Sequence, residues 1–292
     1  MKRTIILSIA AIAMTALCAC INTGDNNGIN TTNAKEAKGD STQCRFSNIR
    51  QSNLMQYLDE DGDTCYIDNS VSVFWPELIN GGPCDKLQQA LRNELVDSVG
   101  ITSIEQVIKC LLESNLPDNP EKAQLKSITS ITGNVQRVSS NNVKVDLQEL
   151  GEKLLTYHIY YDSYMAGGAH GIYANRYVTY DLLENKVVTL DDIIADTTAL
   201  RNAILRSIKQ EYHYDKDDLF LPENGLLPLP QNFYIDGSVL HAVYQVYEIA
   251  SYAQGAIDAP IYPYMINARN TKLYTHYGSK LLDVEELSNE AK

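Results

Sequence analysis

Leu58-Asp59-Glu60-Asp61-Gly62-Asp63-Thr64 separates two runs, residues 44–58 and 64–75, in which apolar and polar side chains alternate. Alternation at period two marks a strand with one buried face. Asp-Gly between two such runs is a hairpin signal, because glycine takes positive φ without steric cost. The fold is therefore expected to open with a long antiparallel hairpin. Pro76, after Ser72-Val73-Phe74-Trp75, is expected to end the ladder, since proline has no N–H to contribute. The acids of the turn also mimic the opening of a calcium loop. The loop's glycine position is Thr64 and its closing glutamate position is Ser70, so a solvated turn is preferred.

Outward from this hairpin, two helices are expected. Asp85 with Gln88 resembles a capping box before Leu87, Leu91 and Leu95, and Thr102 with Glu105 repeats it before Ile104, Val107, Ile108, Leu111 and Leu112. Residues 122–138, 143–163 and 171–181, rich in Val, Ile, Thr and Tyr, read as strands, with Asn141-Asn142 as a turn. Glu184-Asn185 reads as another turn, a third helix runs from about Thr198 to Tyr212, and 232–277 returns to strands around turns at Asp236-Gly237 and near Tyr252–Gly255. The pattern is α+β: antiparallel sheets with a few helices packed on one side, in two intimately joined subdomains.

Met1-Lys2-Arg3, the apolar stretch Thr4–Leu17 and Leu17-Cys18-Ala19-Cys20 resemble a bacterial lipoprotein leader, with Cys20 as the lipidated residue after small Ala19. Residues 1–19 are thus expected to be a signal peptide and 20–43, which lack apolar periodicity, a flexible tether. This places the fold in the bacterial cell envelope, outside the cytoplasm and held to membrane by lipid on Cys20. There Cys44, Cys65, Cys84 and Cys110 are expected to form two disulfides, Cys44–Cys84 and Cys65–Cys110, with Cys84–Cys110 as the alternative.

Of the 292 residues, 37 are acidic and 24 basic, a net charge of −13. Loss of Lys2 and Arg3 with the leader leaves 22 basic residues against 37 acidic, a net charge of −15. A phosphate-neutralising surface needs the opposite sign, so nucleic acid is excluded as a partner. There is no G-x-S-x-G, S-x-x-K, H-E-x-x-H or phosphate-binding glycine motif, and the five histidines lack ligand spacing. No enzyme activity, metal or cofactor is expected. The remaining catalytic candidate is His170, in a glycine-rich loop; its alternative role is to bond loop backbone while the glycines let two strands approach. Gly168 is expected at positive φ.

Gly167-Gly168-Ala169-His170-Gly171, then Asp181-Leu182 with Lys186-Val187-Val188-Thr189-Leu190-Asp191-Asp192, then Tyr247-Glu248-Ile249-Ala250-Ser251-Tyr252-Ala253-Gln254-Gly255 resemble, in that order, the extracellular region of RsiV-type anti-sigma factors. That region joins two domains of unknown function, DUF 4163 and DUF 3298, found also beside the catalytic domain of PdaC-type deacetylases. The resemblance runs from about Val71 to Tyr264 and implies a DUF 4163-like subdomain over 44–182 and a DUF 3298-like one over 183–292. It covers neither the sigma-binding arm nor the deacetylase domain. The resemblance further implies a binding or sensing module, and lysozyme, a cationic extracellular protein, as the ligand class. The alternative is an envelope hydrolase using His170.

Tyrosine outnumbers phenylalanine 19 to 4, with seven between Tyr157 and Tyr180 and eight between Tyr234 and Tyr277. In Tyr157-His158-Ile159-Tyr160-Tyr161 alternate side chains must face opposite ways, so some rings are expected outside, at a contact surface.

Overall fold

A computed structural model describes residues 30–32, 44–96, 100–132, 137–194, 196–237 and 239–266. The leader, Cys20, most of the expected tether and the strand expected beyond residue 266 lie outside them. The fold is α+β, and its residues group into two compact units. The first takes in the chain up to Pro83, Gln88–Val143 and Asp162–Ile172; the second takes in Cys84–Leu87, Lys144–Tyr161 and the chain from Tyr173.

In the first unit the expected hairpin is present, as β2 (Arg45–Leu58) and β3 (Thr64–Ile79), with Gly62 at φ 82°. The Asp59 carboxylate accepts from the N–H groups of Asp61 and Asp63, at 3.0 and 2.9 Å, and pairs with Arg137, so the acidic turn is closed from within. The ladder does not stop at Pro76, which pairs with Phe46 beside an irregularity at Arg45/Phe46; the strand continues to Ile79. Short strands flank the hairpin: β1 (Asn30–Thr32) and β5 (Lys126–Ser127) pair with β2, and β4 (Gly82–Pro83) with β3.

Helix α1 (Asp85–Leu95) does not carry the expected box, because Gln88 Nε2 donates to the carbonyl of Pro76. Helix α2 (Ile104–Glu113) starts one residue later than expected: Ser103 is the cap and Gln106 closes the box. Its apolar side packs on β2 and β3. Its last carbonyls meet asparagines from three neighbouring strands. Asn53 and the cross-strand Asn69 both donate to Leu112 O, at 2.9 and 2.8 Å. Asn141, on β6 (Val138–Leu150), donates to Leu111 O and to Ser114 Oγ. Asn141-Asn142 is therefore no turn; its first residue is a buried rung of the sheet. The run expected as one strand over 143–163 is broken instead at Gly151, into β6 and β7 (Leu154–Tyr164).

None of Cys44, Cys65, Cys84 and Cys110 is in a disulfide, although all four are buried. The expected Cys44–Cys84 bridge fails on strand spacing. Arg45 and Pro83 pair with opposite edges of Leu78, about 9.6 Å apart, and a bridge needs Cα atoms within about 7 Å. Cys65 turns its Sγ to Asp59 at the closed end of the hairpin, and Cys110 lies in the buried face of α2.

In the second unit the parts of β6 from Lys144, of β7 up to Tyr161 and of β8 (Ile172–Asp181) from Tyr173 are followed by β9 (Lys186–Val187), adjacent in that order, with Asn185 at φ 54° in the expected turn. After a short α3 (Leu190–Ile193), α4 (Thr197–Tyr212) covers a second sheet of β10 (Asn232–Asp236), β11 (Val239–Tyr244) and β12 (Ile257–Ile261). Leu200, Ile204 and Ile208 of α4 join Ile235, Leu240, Tyr244, Ile257 and Ile261 in its core.

Asn69→Ala is expected to lower unfolding free energy by about 1–3 kcal/mol, as for a lost buried hydrogen bond. Asn69→Asp removes the donor and faces a carboxylate with a carbonyl, so it is expected to cost about 3–5 kcal/mol at pH 7. That deficit should shrink as pH falls through the raised value of the buried acid and be smallest below about pH 4, where the acid carries a donor in both states; denaturant titrations at pH 7 and below pH 4 measure it. Unreduced protein alkylated after denaturation should carry the label at all four of Cys44, Cys65, Cys84 and Cys110, which peptide mapping reads directly.

Candidate functional site

Between β11 and β12 the chain makes two tight turns that display tyrosines. At the first, Tyr247 has φ 67° and is 40% exposed. This left-handed conformation is strained for a bulky side chain, by about 1–3 kcal/mol. The turn is closed at both ends: Gln245 N donates to Glu248 Oε2 at 2.8 Å and Glu248 N to Gln245 O at 3.0 Å. Tyr252 begins the second turn, a single 3₁₀ turn held by Gln254 Oε1, which accepts from Ser251 N and Oγ. Gly255, at φ 80°, ends it, and a Cβ there would lie 3.3 Å from Tyr173 Oη. Tyr173 Oη accepts from Ala256 N.

Three rings result. Tyr247 and Tyr252 have centroids 5.6 Å apart at 34°, and Tyr252 meets Tyr173 at 6.2 Å and 67°. Phe220, 54% exposed, is tied to the same stretch of chain through its N–H, which donates to Ile249 O at 2.8 Å. The same segment carries exposed Asp215, Asp217 and Asp218, and Gln254 Nε2 reaches Asp218 O. The second unit thus presents an aromatic surface with acids along one side.

A different aromatic group lies on the strands. His158, Tyr177, Tyr234 and His241 stack in sequence, with centroids 4.8, 4.2 and 4.3 Å apart and planes within 25°. Asp258 accepts from Tyr234 Oη and lies 2.8 Å from His241 Nδ1, while His158 Nε2 lies 2.9 Å from Asn175 Oδ1. Burial first, then Asp258, pushes the Tyr177 hydroxyl up to about 12 and raises that of Tyr234 further. In this stack the inner faces are covered by neighbouring rings. It joins β7 and β8 to β10 and β11, which gives it a structural role.

The residues singled out in the sequence fall in two places. Tyr247, Glu248, Tyr252 and Gly255 are together in the second unit. The other motif, Gly167, Gly168, Ala169, His170 and Gly171, forms the loop between β7 and β8 in the first unit. His170 is exposed, with Nδ1 2.7 Å from Gly171 O. Positive φ belongs to Gly167, at 83°, and not to Gly168 as expected; at Gly168 a Cβ would lie 3.0 Å from Met165 O, a tight contact. At Gly171 a Cβ would come equally close to Ser163 O. The Asp181–Asp192 run is also structural. Asp181 accepts from Leu183 and Glu184 N–H groups, and Lys186 bridges Glu184 and Asp192. Burial opposes ionisation of Asp192, yet Lys186 and Thr189 hold its carboxyl down at about 2. Among the described residues no cluster of three or more His, Cys, Asp or Glu is placed to hold a metal ion, and no helix is long and apolar enough to cross a membrane.

Tyr173, Phe220, Gln245 and Asp258 were not singled out in the sequence. The expected turn at Asp236-Gly237 carries one usable signal: with Asp236 opposite Val239, Tyr234 must face His241. Nothing comparable marks Phe220 or Gln245, which act through backbone contacts.

Fold and surface together describe an α+β module built to display aromatic side chains. The family model described as "Protein of unknown function (DUF3298)" matches residues 191–262, which hold Tyr247, Tyr252 and Phe220. A crystal structure of a DUF3298 family member from Bacteroides fragilis superposes with a TM-score of 0.54 at 21% identity, over 78% of this chain and 93% of that one. That likeness is one of fold. A DUF3298 family protein from Pseudomonas aeruginosa PAO1 gives a TM-score of 0.49 at 14% identity, over 76% and 92%. No curated protein matches the chain.

Burial pushes the Glu248 carboxyl above the usual glutamate range, against the opposing bond from Gln245 N. A raised value favours the protonated form in the folded state. Its stabilising contribution is present below about pH 4.3 and is lost as pH rises through the raised value. Glu248→Gln keeps an acceptor and cannot ionise. It is expected to raise the melting temperature at pH 7 and leave it unchanged at pH 4, as read by thermal unfolding at both values.

Proposed function

We propose that this chain is an extracytoplasmic binding or sensing module, held to a membrane by lipid on Cys20, whose Tyr247 surface engages a cationic protein of the lysozyme class. The observation that carries the proposal is Tyr247 itself: a bulky side chain kept at positive φ and turned to solvent beside Tyr252. Such a residue adds strain to the fold while leaving 40% of its surface exposed, and strain of this kind concentrates at functional sites. Tyrosine at an interface offers area and a hydroxyl for small loss of side-chain entropy. Asp217, Asp218 and the net charge of −13 supply the complement to a basic partner, which raises association rates and disfavours acidic ligands. The likeness of fold to DUF3298 proteins is consistent with this reading and does not name a ligand. The hydrolase alternative has less support, since the sequence carries no catalytic motif in which His170 would take part.

Calorimetry against a panel of lysozymes is the direct test. Micromolar or tighter binding is expected at low salt. It should weaken as the screening length falls from about 10 Å at 0.1 M to about 3 Å at 1 M. Tyr247→Ala is expected to cost at least about 2 kcal/mol of affinity, the scale of an interface anchor. Absence of binding to every lysozyme at micromolar protein would remove this ligand class.

A further inference from the structure

Five non-glycine residues have positive φ among those described: Asn80, Gln124, Asn185, His213 and Tyr247. Asn80 and Asn185 are turn asparagines, which tolerate that region, and His213 caps the end of α4. Gln124 and Tyr247 are neither asparagines nor helix caps, and of the two Tyr247 carries the bulky aromatic ring. A glycine would close the same turn without strain, and the tyrosine ring is too exposed to be there for the core. Something must hold it.

The holding contacts are specific. The Gln245 side chain grips the β8 backbone twice at one residue: Asn175 N donates to Oε1 at 2.8 Å and Nε2 donates to Asn175 O at 2.6 Å. The Gln245 main chain is in turn tied to Glu248 in both directions, N–H to carboxylate and C=O to N–H. Immediately after the turn, Ile249 O accepts from Phe220 N. The residue between these anchors, Tyr247, has its backbone fixed from both sides and its ring directed outward next to Tyr252.

We propose that Gln245 and Glu248 are positioning residues. The Gln245 amide fixes the turn to β8, the Glu248 carboxylate fixes it to Gln245, and together they preset Tyr247 as a rigid anchor for the partner. This inference rests on the Tyr247 surface being the binding surface, but its structural half can be measured without any partner. Presetting removes from the binding step the ordering cost that a mobile tyrosine would incur.

The experiment uses the full chain and the intraresidue HN–Hα nuclear Overhauser effect of Tyr247, which is strong only when φ is positive. The wild type and Glu248→Gln should show the strong signal. Glu248→Ala and Gln245→Leu should lose it. With a lysozyme bound by the wild type as probe, both of those variants should bind at least tenfold more weakly, while Glu248→Gln should not. Should Gln245→Leu or Glu248→Ala fail to fold, the Tyr247→Gly background decides. Glycine needs no latch, so adding Glu248→Ala there should lower the melting temperature by less than it does in the wild type. Retention of the strong signal in both Glu248→Ala and Gln245→Leu, or its loss with affinity intact, overturns the proposal, as does an equal drop in the two backgrounds. If the signals change as expected but no lysozyme binds the wild type, the latch stands and the partner reading fails.

Discussion

A helix that ends against the face of a sheet leaves its last carbonyls in a place water does not reach, and each needs a donor. In the first unit those donors are amides from the sheet. Asn69 and Asn141 are 0% and 1% exposed and stand on the inward faces of β3 and β6. Their neighbours there are Ile67 and Val71 on one strand and Val143 and Val145 on the other. With Asn53 they form a row across three strands, all aimed at Leu111 and Leu112. The position of α2, the register of the long hairpin and the run of β6 are mutually dependent through this row. Displacing any strand by one residue would turn its asparagine to the other face.

The second unit meets a comparable demand at the edge of β8. Strand β9 pairs only with Tyr180 and Asp181, so the preceding edge groups need other partners. Gln245 supplies them at Asn175, and Asn232 Oδ1 accepts from Tyr177 N while its Nδ2 donates to Asn175 O. Side-chain amides here replace the peptide groups of an absent strand. The stack of Tyr177 on Tyr234 lies beside them, so polar and aromatic contacts join the two sheets of this unit at one level. The turn that displays Tyr247 begins at Gln245, so the exposed surface is fastened to β8 by side-chain hydrogen bonds.

The long hairpin, the Glu184-Asn185 and Asp236-Gly237 turns and α4 were legible because local chemistry decides them: period, glycine, asparagine and helix face. The misreadings have tertiary causes. Asn141-Asn142 has turn chemistry, yet the carbonyls of α2 hold Asn141 in the sheet. Gln88, suited to a capping box, found the carbonyl of Pro76 instead. The cysteines suggested bridges from number and expected compartment, but strand spacing keeps Arg45 and Pro83 apart. At the candidate site, the motif tyrosines were visible in the sequence, while the left-handed backbone at Tyr247 was not, because tyrosine is among the last residues expected there. Its causes are bonds between side chains and backbone: Gln245 reaches Asn175, 70 residues away, and the Glu248 carboxylate closes the turn on Gln245 N, and no periodicity of the sequence records either.

Gln245 and Asn232 have one more effect. An unpaired strand edge is sticky in proportion to how crowded its surroundings are, and a second molecule offering a free strand is the usual culprit in aggregation. Here the vulnerable edge is already occupied by the molecule's own amides, which are too short to extend the sheet further. At Asn175 and Tyr177 the β8 edge is therefore closed to a strand offered by a second molecule.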